Sequence, residues 1–152
     1  MKQGTRANFT GRELEDFVAS ILEKRGYTKV EQRKFEPSEH LNQPIYARRY
    51  DAGKNVYGTA SRVDFVLYHP KKHHKCLIIE AKWQQTGGSV DEKYPFLILN
   101  IKNQHPYETI LILDGGGYKR GACEWIRSQV GDNFKALFDM AGFQKWANSD
   151  NL

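Results

Sequence analysis

Arg62-Val63-Asp64-Phe65-Val66-Leu67-Tyr68 and Cys76-Leu77-Ile78-Ile79-Glu80-Ala81-Lys82 decide how the chain is read. Both runs are rich in β-formers, and the connection His69-Pro70-Lys71-Lys72-His73-His74-Lys75 is polar and carries a proline, so two strands joined by a short loop are expected. The second run is almost continuously apolar until its last residues, the pattern of a central strand buried on both faces. With the connection centred on Lys72, Asp64 falls opposite Glu80. Directly opposed residues share a face, with Cβ atoms roughly 4.5–5.5 Å apart. Lys82 lies two residues beyond Glu80 and shares that face by strand periodicity. Three charges thus converge at one end of an apolar strand pair.

Two facing carboxylates repel unless a positive charge sits between them. A divalent cation that prefers oxygen, Mg²⁺ or Mn²⁺ in its place, satisfies both and keeps water in its remaining positions. Such an ion acidifies bound water and stabilises charge on a phosphoryl oxygen, while Lys82 can orient the water or neutralise developing charge. Phosphodiester hydrolysis is the reaction these parts suit. The plain alternative is a pair of solvated strand ends with Lys82 as salt-bridge partner. Against it stands Glu80, placed immediately after Leu77-Ile78-Ile79, where a charge is costly to bury.

Outward from this pair, Thr10 and Glu13 form a capping box ahead of an apolar stripe, Leu14, Val18, Ile21 and Leu22, and Gly26 stops the helix. Tyr27 to Phe35 reads as a first strand, residues 36–44 as a loop with Pro37 and Pro44, and Ile45 to Tyr50 as a strand. Ser89 and Glu92 suggest a second capping box, opening a helix from Val90 to about Ile101 despite Pro95. Thr109 to Asp114 is a buried strand, and Gly115-Gly116-Gly117 ends it. Residues 118–130 read as a helix with Cys123, Ile126 and Val130 inward. Phe134, Leu137, Phe138 and Ala141 suggest a last helix, with a frayed tail after Trp146. The expected fold is α/β, a central mixed β-sheet flanked by helices on both sides, in one domain over residues 1–152.

These residues resemble the PD-(D/E)XK nuclease superfamily, the fold of many type II restriction endonucleases. Asp64 followed after 15 residues by Glu80-Ala81-Lys82 carries the likeness, with Val63 where that family often has proline. Gly11-Arg12-Glu13-Leu14-Glu15 resembles the family's first helix, and residues 83–93 its loop and helix after the motif; the likeness spans about residues 10 to 130. The resemblance implies a restriction-endonuclease-like core and an Mg²⁺-dependent endonuclease acting on double-stranded DNA. It also implies a fourth site member, Glu15, joining Asp64 and Glu80 at the metal. Glu13 competes for that role but is already accounted for as the capping partner of Thr10. One site per small chain and two strands to cut imply a homodimer with two-fold symmetry. A structure-selective nuclease (a junction resolvase or repair enzyme) and a non-catalytic DNA-binding module on the same fold remain alternatives.

Gln84 follows Lys82 on the same face and is a candidate substrate contact, as are Ser89 and Lys93 beyond it and Lys119 after the glycines. Gly115-Gly116-Gly117 could offer backbone N–H groups to a phosphate, although it is not a Walker motif. His73-His74 reads as a solvated turn, and Tyr46, Tyr50, Tyr57 and Tyr68 as sheet packing rather than base-stacking platforms. The net charge of +5 suits a polyanionic partner. No apolar run reaches the roughly 18 residues of a membrane span. Met1 to Arg6 lead into polar residues rather than an apolar signal core, and two cysteines without CxxC spacing suggest a reducing, cytoplasmic setting.

Overall fold

The computed structural model describes residues 9–152, so the polar stretch Met1 to Arg6 lies outside the described residues. Helix α1 (Gly11–Lys24) opens the fold with the expected capping box: Glu13 N donates to Thr10 Oγ1, and Thr10 N to the Glu13 carboxylate. Six strands follow in chain order across one sheet: β1 (Thr28–Lys29), β2 (Ile45–Lys54), β3 (Ala60–His69), β4 (His73–Trp83), β5 (Thr109–Asp114) and β6 (Phe134–Phe138). The β2–β3 and β3–β4 pairs are antiparallel; β1–β2, β4–β5 and β5–β6 are parallel. Between the strands sit α2 (Tyr94–Asn103) and α3 (Arg120–Ser128), and α4 (Met140–Trp146) closes the order.

Strand alternation sorts the core onto two faces. Phe65, Leu67, Leu77, Ile79, Ile110 and Ile112 pack with α1 and with Phe143 of α4. Leu111 and Leu113 pack on the opposite face with Ile98 and Ile101 of α2 and Ile126 of α3. Helices therefore cover both sides of a mixed sheet, as the sequence suggests.

Several local expectations need correction. The strand expected from Tyr27 to Phe35 shrinks to two residues and gives way to short 3₁₀ turns at Gln32–Lys34 and Pro37–Glu39. The Ser89–Glu92 capping box does not form: Ser89–Lys93 is a 3₁₀ turn without a side-chain cap, and α2 starts beyond it with Pro95 in its first turn. Proline suits that position because its missing N–H would be unpaired there anyway. In α3 only Ile126 is buried, and Val130 is exposed beyond the helix end. Phe134 to Phe138 form β6 rather than a helix, so the last helix begins only at Met140, capped by Asp139. The tail after Trp146 is not frayed. Leu152 is buried, Lys72 Nζ donates to its carbonyl, and His73 Nε2 donates to Asn151 O. The His73-His74 turn is accordingly half covered by the tail rather than fully solvated.

Candidate active site

The β3–β4 ladder keeps a register centred on Lys72 through Leu67–Leu77, Val66–Ile78 and Phe65–Ile79. Near the turn it shifts to His69–His73, and β4 absorbs the extra residues with Cys76 at φ 70. Asp64 and Glu80 are the next opposed pair at the other end, where side chains replace the ladder's backbone bonds. Asp64 N donates to Glu80 Oε1 at 3.1 Å, and Ala81 N donates to Asp64 Oδ2 at 2.8 Å. Each carboxylate thus closes a backbone donor left open as the strands separate.

Lys82 Nζ lies 3.1 Å from Asp64 Oδ2 and 3.2 Å from Glu80 Oε2. The Glu80 side chain is only 4% exposed. Burial pushes its carboxyl up to about 7, the Asp64 charge adds to this, and Lys82 opposes it. For Lys82, burial disfavours the ammonium, but the two carboxylates more than offset that and hold its pKa above the usual value. One ammonium shared by two carboxylates leaves the ionised cluster net negative.

Glu15 projects from α1 toward this cluster. Its pKa is raised by burial first and by the charge of Asp64 second, while Arg48 opposes the shift. Arg48 Nη2 is 3.7 Å from Glu15, its Nη1 bonds Asp16 at 3.1 Å, and the guanidinium lies over the Phe65 ring. In the sequence Arg48 stands out only as part of a basic pair. Its place opposite Phe65 across β2–β3, one position from Asp64 along β3, is the signal that could have marked it.

The donor set suits a hard divalent cation, being carboxylate oxygens with net negative charge, and Asp64 Oδ1 has no hydrogen-bond partner among the described residues. Asp64 and Glu80 would hold it. Among the described residues no group of three or more His, Cys, Asp or Glu side chains stands at metal-binding spacing.

The other expected contacts divide. Lys93 is exposed and lines the cleft beside Glu80 and Lys82. Ser89 is exposed on the 3₁₀ turn leading to it. Gln84 is buried and turned inward: its amide donates to Thr86 O, Asp91 Oδ1 and Gly117 O, and its Oε1 accepts from Tyr94 OH. It fastens the loop after β4. Lys119 N donates to Asp91 Oδ2 at the start of α3, and its side chain is exposed away from the cleft lining. Two of the glycines allow a close backbone approach. A Cβ on Gly115 would stand 2.3 Å from Gln84 O, and one on Gly117 2.4 Å from the Gln85 carbonyl carbon.

A family model described as a PD-(D/E)XK nuclease superfamily domain matches residues 6–151, in agreement with this construction. No curated protein matches the chain. Among solved structures, the crystal structure of protein VC1899 from Vibrio cholerae is similar at 11% identity and a TM-score of 0.46, covering 93% of this chain and 32% of that one. This chain therefore spans about a third of that protein's length. With the family match running almost end to end, and the Asp64, Glu80 and Lys82 triplet at the end of its strand pair, the chain belongs to the PD-(D/E)XK nuclease superfamily.

Proposed function

We propose that the protein is an Mg²⁺-dependent endonuclease, with Mn²⁺ able to substitute, that hydrolyses phosphodiester bonds of double-stranded DNA. In its most specific form it is a type II restriction enzyme working as a two-fold homodimer. The observation that carries the reading is the convergence of Asp64, Glu80 and Lys82, with Glu80 buried at a cost that packing alone does not repay.

The cation, when bound, supplies charge stabilisation at the phosphoryl oxygen and a more acidic water. The chain's own groups do the rest. Asp64 and Glu80 would hold that cation at a fixed place beside β4, since both are tied to backbone N–H groups. Lys82 can give a hydrogen bond to the attacking water or to a phosphoryl oxygen as negative charge grows there. Glu15, restrained by Arg48, is a further carboxylate within electrostatic reach of Asp64. The net charge of +5 and the cleft-lining Lys93 and Arg62 favour a polyanion.

The test is incubation of the purified protein with supercoiled plasmid and with phage DNA in Mg²⁺, with EDTA and Asp64→Ala as controls. Mg²⁺-dependent linear or fragmented product, lost in the variant, is expected. Absence of nicking in Mg²⁺ and in Mn²⁺ removes the reading and leaves a DNA-binding module. A second reading, a structure-selective nuclease, is favoured by exposed aromatics beside the cleft. Competition between linear and branched duplex separates the two.

A further inference from the structure

The cleft beside Glu80 and Lys82 has a volume of about 570 Å³ and extends along α2 as far as His105. At its rim, Tyr57 on the β2–β3 turn stacks on Phe96 of α2, ring centroids 5.0 Å apart and planes 23° apart. Tyr57 is 78% exposed, so it is not the sheet-packing residue its sequence context suggests. The turn that carries it is tied down, because Val56 N donates to Asn100 Oδ1 at 2.8 Å. Two large aromatic rings are thus held in solvent at the mouth of a cleft, an arrangement that gains nothing for the core.

The far end of the cleft is polar in a defined way. Asn100, one of the buried polar side chains, and His105 stand there. With its oxygen spent on Val56, Asn100 keeps an amide nitrogen that has no partner among the described residues. The Thr109 hydroxyl lies 2.9 Å from His105 Nδ1 and 3.2 Å from Tyr107 O. His105 Nδ1 is thus engaged by Thr109, and Nε2 has no protein partner among the described residues. Burial first, then the charge of Lys82, lowers the imidazole pKa to about 4, which keeps it neutral. Both Asn100 and His105 line the cleft, with Leu97 and Phe96 supplying its apolar wall.

Flat apolar walls, one amide donor and one unpartnered imidazole nitrogen match the faces and edge of a nucleobase removed from its stack. We infer that this cleft receives one unpaired nucleobase of the strand being cut, so that the preferred substrate carries an unpaired nucleotide next to the scissile phosphate. The inference rests on the nuclease reading for the presence of a strand. Its occupancy can nevertheless be measured without any cleavage.

The probes are three fluorescein-labelled 20-mer duplexes: fully paired, with one central bulged nucleotide, and with that bulged nucleotide abasic. Fluorescence anisotropy with the wild-type protein in EDTA compares their affinities. The base-bearing bulge is expected to bind about tenfold tighter than either control, the scale of one aromatic stacking contact. Tyr57→Ala and Phe96→Ala should erase that margin, while Tyr57→Phe keeps it. Tyr57 is so exposed that its alanine variant folds as the wild type does, which a thermal melt checks. Equal affinity for the three duplexes, no binding to any, or a margin untouched by Tyr57→Ala overturns the inference. So does a Tyr57→Ala effect confined to self-association in sedimentation, which would assign the ledge to a second copy of the chain. The plasmid assay is read separately: a base-dependent margin without cleavage removes the nuclease reading and not the pocket.

Discussion

At one end of the β3–β4 pair Lys82 reaches Asp64 at 3.1 Å and Glu80 at 3.2 Å; at the other, Lys72 reaches Asp150 at 2.6 Å and the Leu152 carbonyl at 2.9 Å. By distance alone the second contact is the stronger. By environment it is the weaker, because Asp150 is 84% exposed and the Glu80 side chain 4%. Water and salt screen the first carboxylate and hardly reach the second. The same residue types on the same hairpin therefore do different work, making a screened surface contact with the tail at one end and storing unfavourable charge at the other. That negative charge is what a bound cation would relieve.

The largest effect that follows is on catalysis. Asp64→Ala and Glu80→Gln should each reduce Mg²⁺-dependent DNA cleavage more than about a hundredfold, the scale already reached when an outer-shell partner of a metal ligand is lost. Glu80→Gln should leave the melting midpoint in place, because its amide oxygen can still accept from Asp64 N, whereas Asp64→Ala gives up the acceptor of Ala81 N and should cost about 1–3 kcal/mol of stability without unfolding the chain. Loss of cleavage accompanied by a collapsed melt would mean that the pair serves structure instead, and the contrast with the turn end would disappear.

Lys82→Met should be the most destabilising of the charge substitutions. Removing one partner of a buried pair costs about 3–5 kcal/mol. Here about 2 kcal/mol is expected, since the Lys82 side chain is 39% exposed and Glu80 can take up a proton in its place. Denaturant unfolding measures the cost. Added Mg²⁺ should recover more stability in this variant than in the wild type, and equal recovery would argue against the two carboxylates as the cation's seat.

The same contrast separates what is legible in the amino-acid sequence from what is not. The strand pair is legible because nearly continuous runs of apolar β-formers carry charges at one end, and a register centred on Lys72 is enough to oppose Asp64 and Glu80. The capping box at Thr10 and Glu13 is legible for the same reason, being local chemistry with fixed spacing. Phe134 to Phe138 is not: a short apolar run fits a helix or a strand, and only its place beside Thr109–Ile112 of β5 selects the strand. Gln84 shares the strand periodicity of Lys82, yet it turns into the loop because Gly115 and Gly117 bring a second backbone within its reach. Tyr57 cannot be placed from the sequence either, since its exposure depends on Asn100, distant in the chain, holding the turn against α2. Properties set by long-range partners leave no period in the sequence.

Histidines sharpen the comparison through pH. His105, at the cleft, has its pKa lowered to about 4 by burial. His73, at the turn, is also lowered by burial, but its hydrogen bond to Asn151 O opposes the shift. A histidine held neutral in the fold binds a proton on unfolding, so its contribution is complete above the usual value of about 6.5 and is lost as pH falls toward the folded value. Unfolding free energy measured between about pH 6.5 and pH 4 should therefore fall with acid in the wild type. His105→Gln should flatten that slope more than His73→Gln does. No change of slope in His105→Gln would place that imidazole in solvent.

The smallest effects belong to the turn end. Tyr27 packs its ring against His69, and its hydroxyl is the one buried side-chain polar atom without a partner among the described residues. Burial drives its pKa up, as expected for a phenol with nothing to stabilise the anion. Tyr27→Phe should raise stability by about 1 kcal/mol, the desolvation cost of an unpaired hydroxyl. Lys72→Ala should change neither the melt nor cleavage measurably, despite deleting a shorter ion pair than any at the active end. Its partner carboxylate stays hydrated with or without it, and the tail keeps its bond from His73 to Asn151 O together with the burial of Leu152. A clear loss of stability in Lys72→Ala would mean that contact distance, and not burial, ranks these two lysines. The charge stored at Asp64 and Glu80 would then need another explanation.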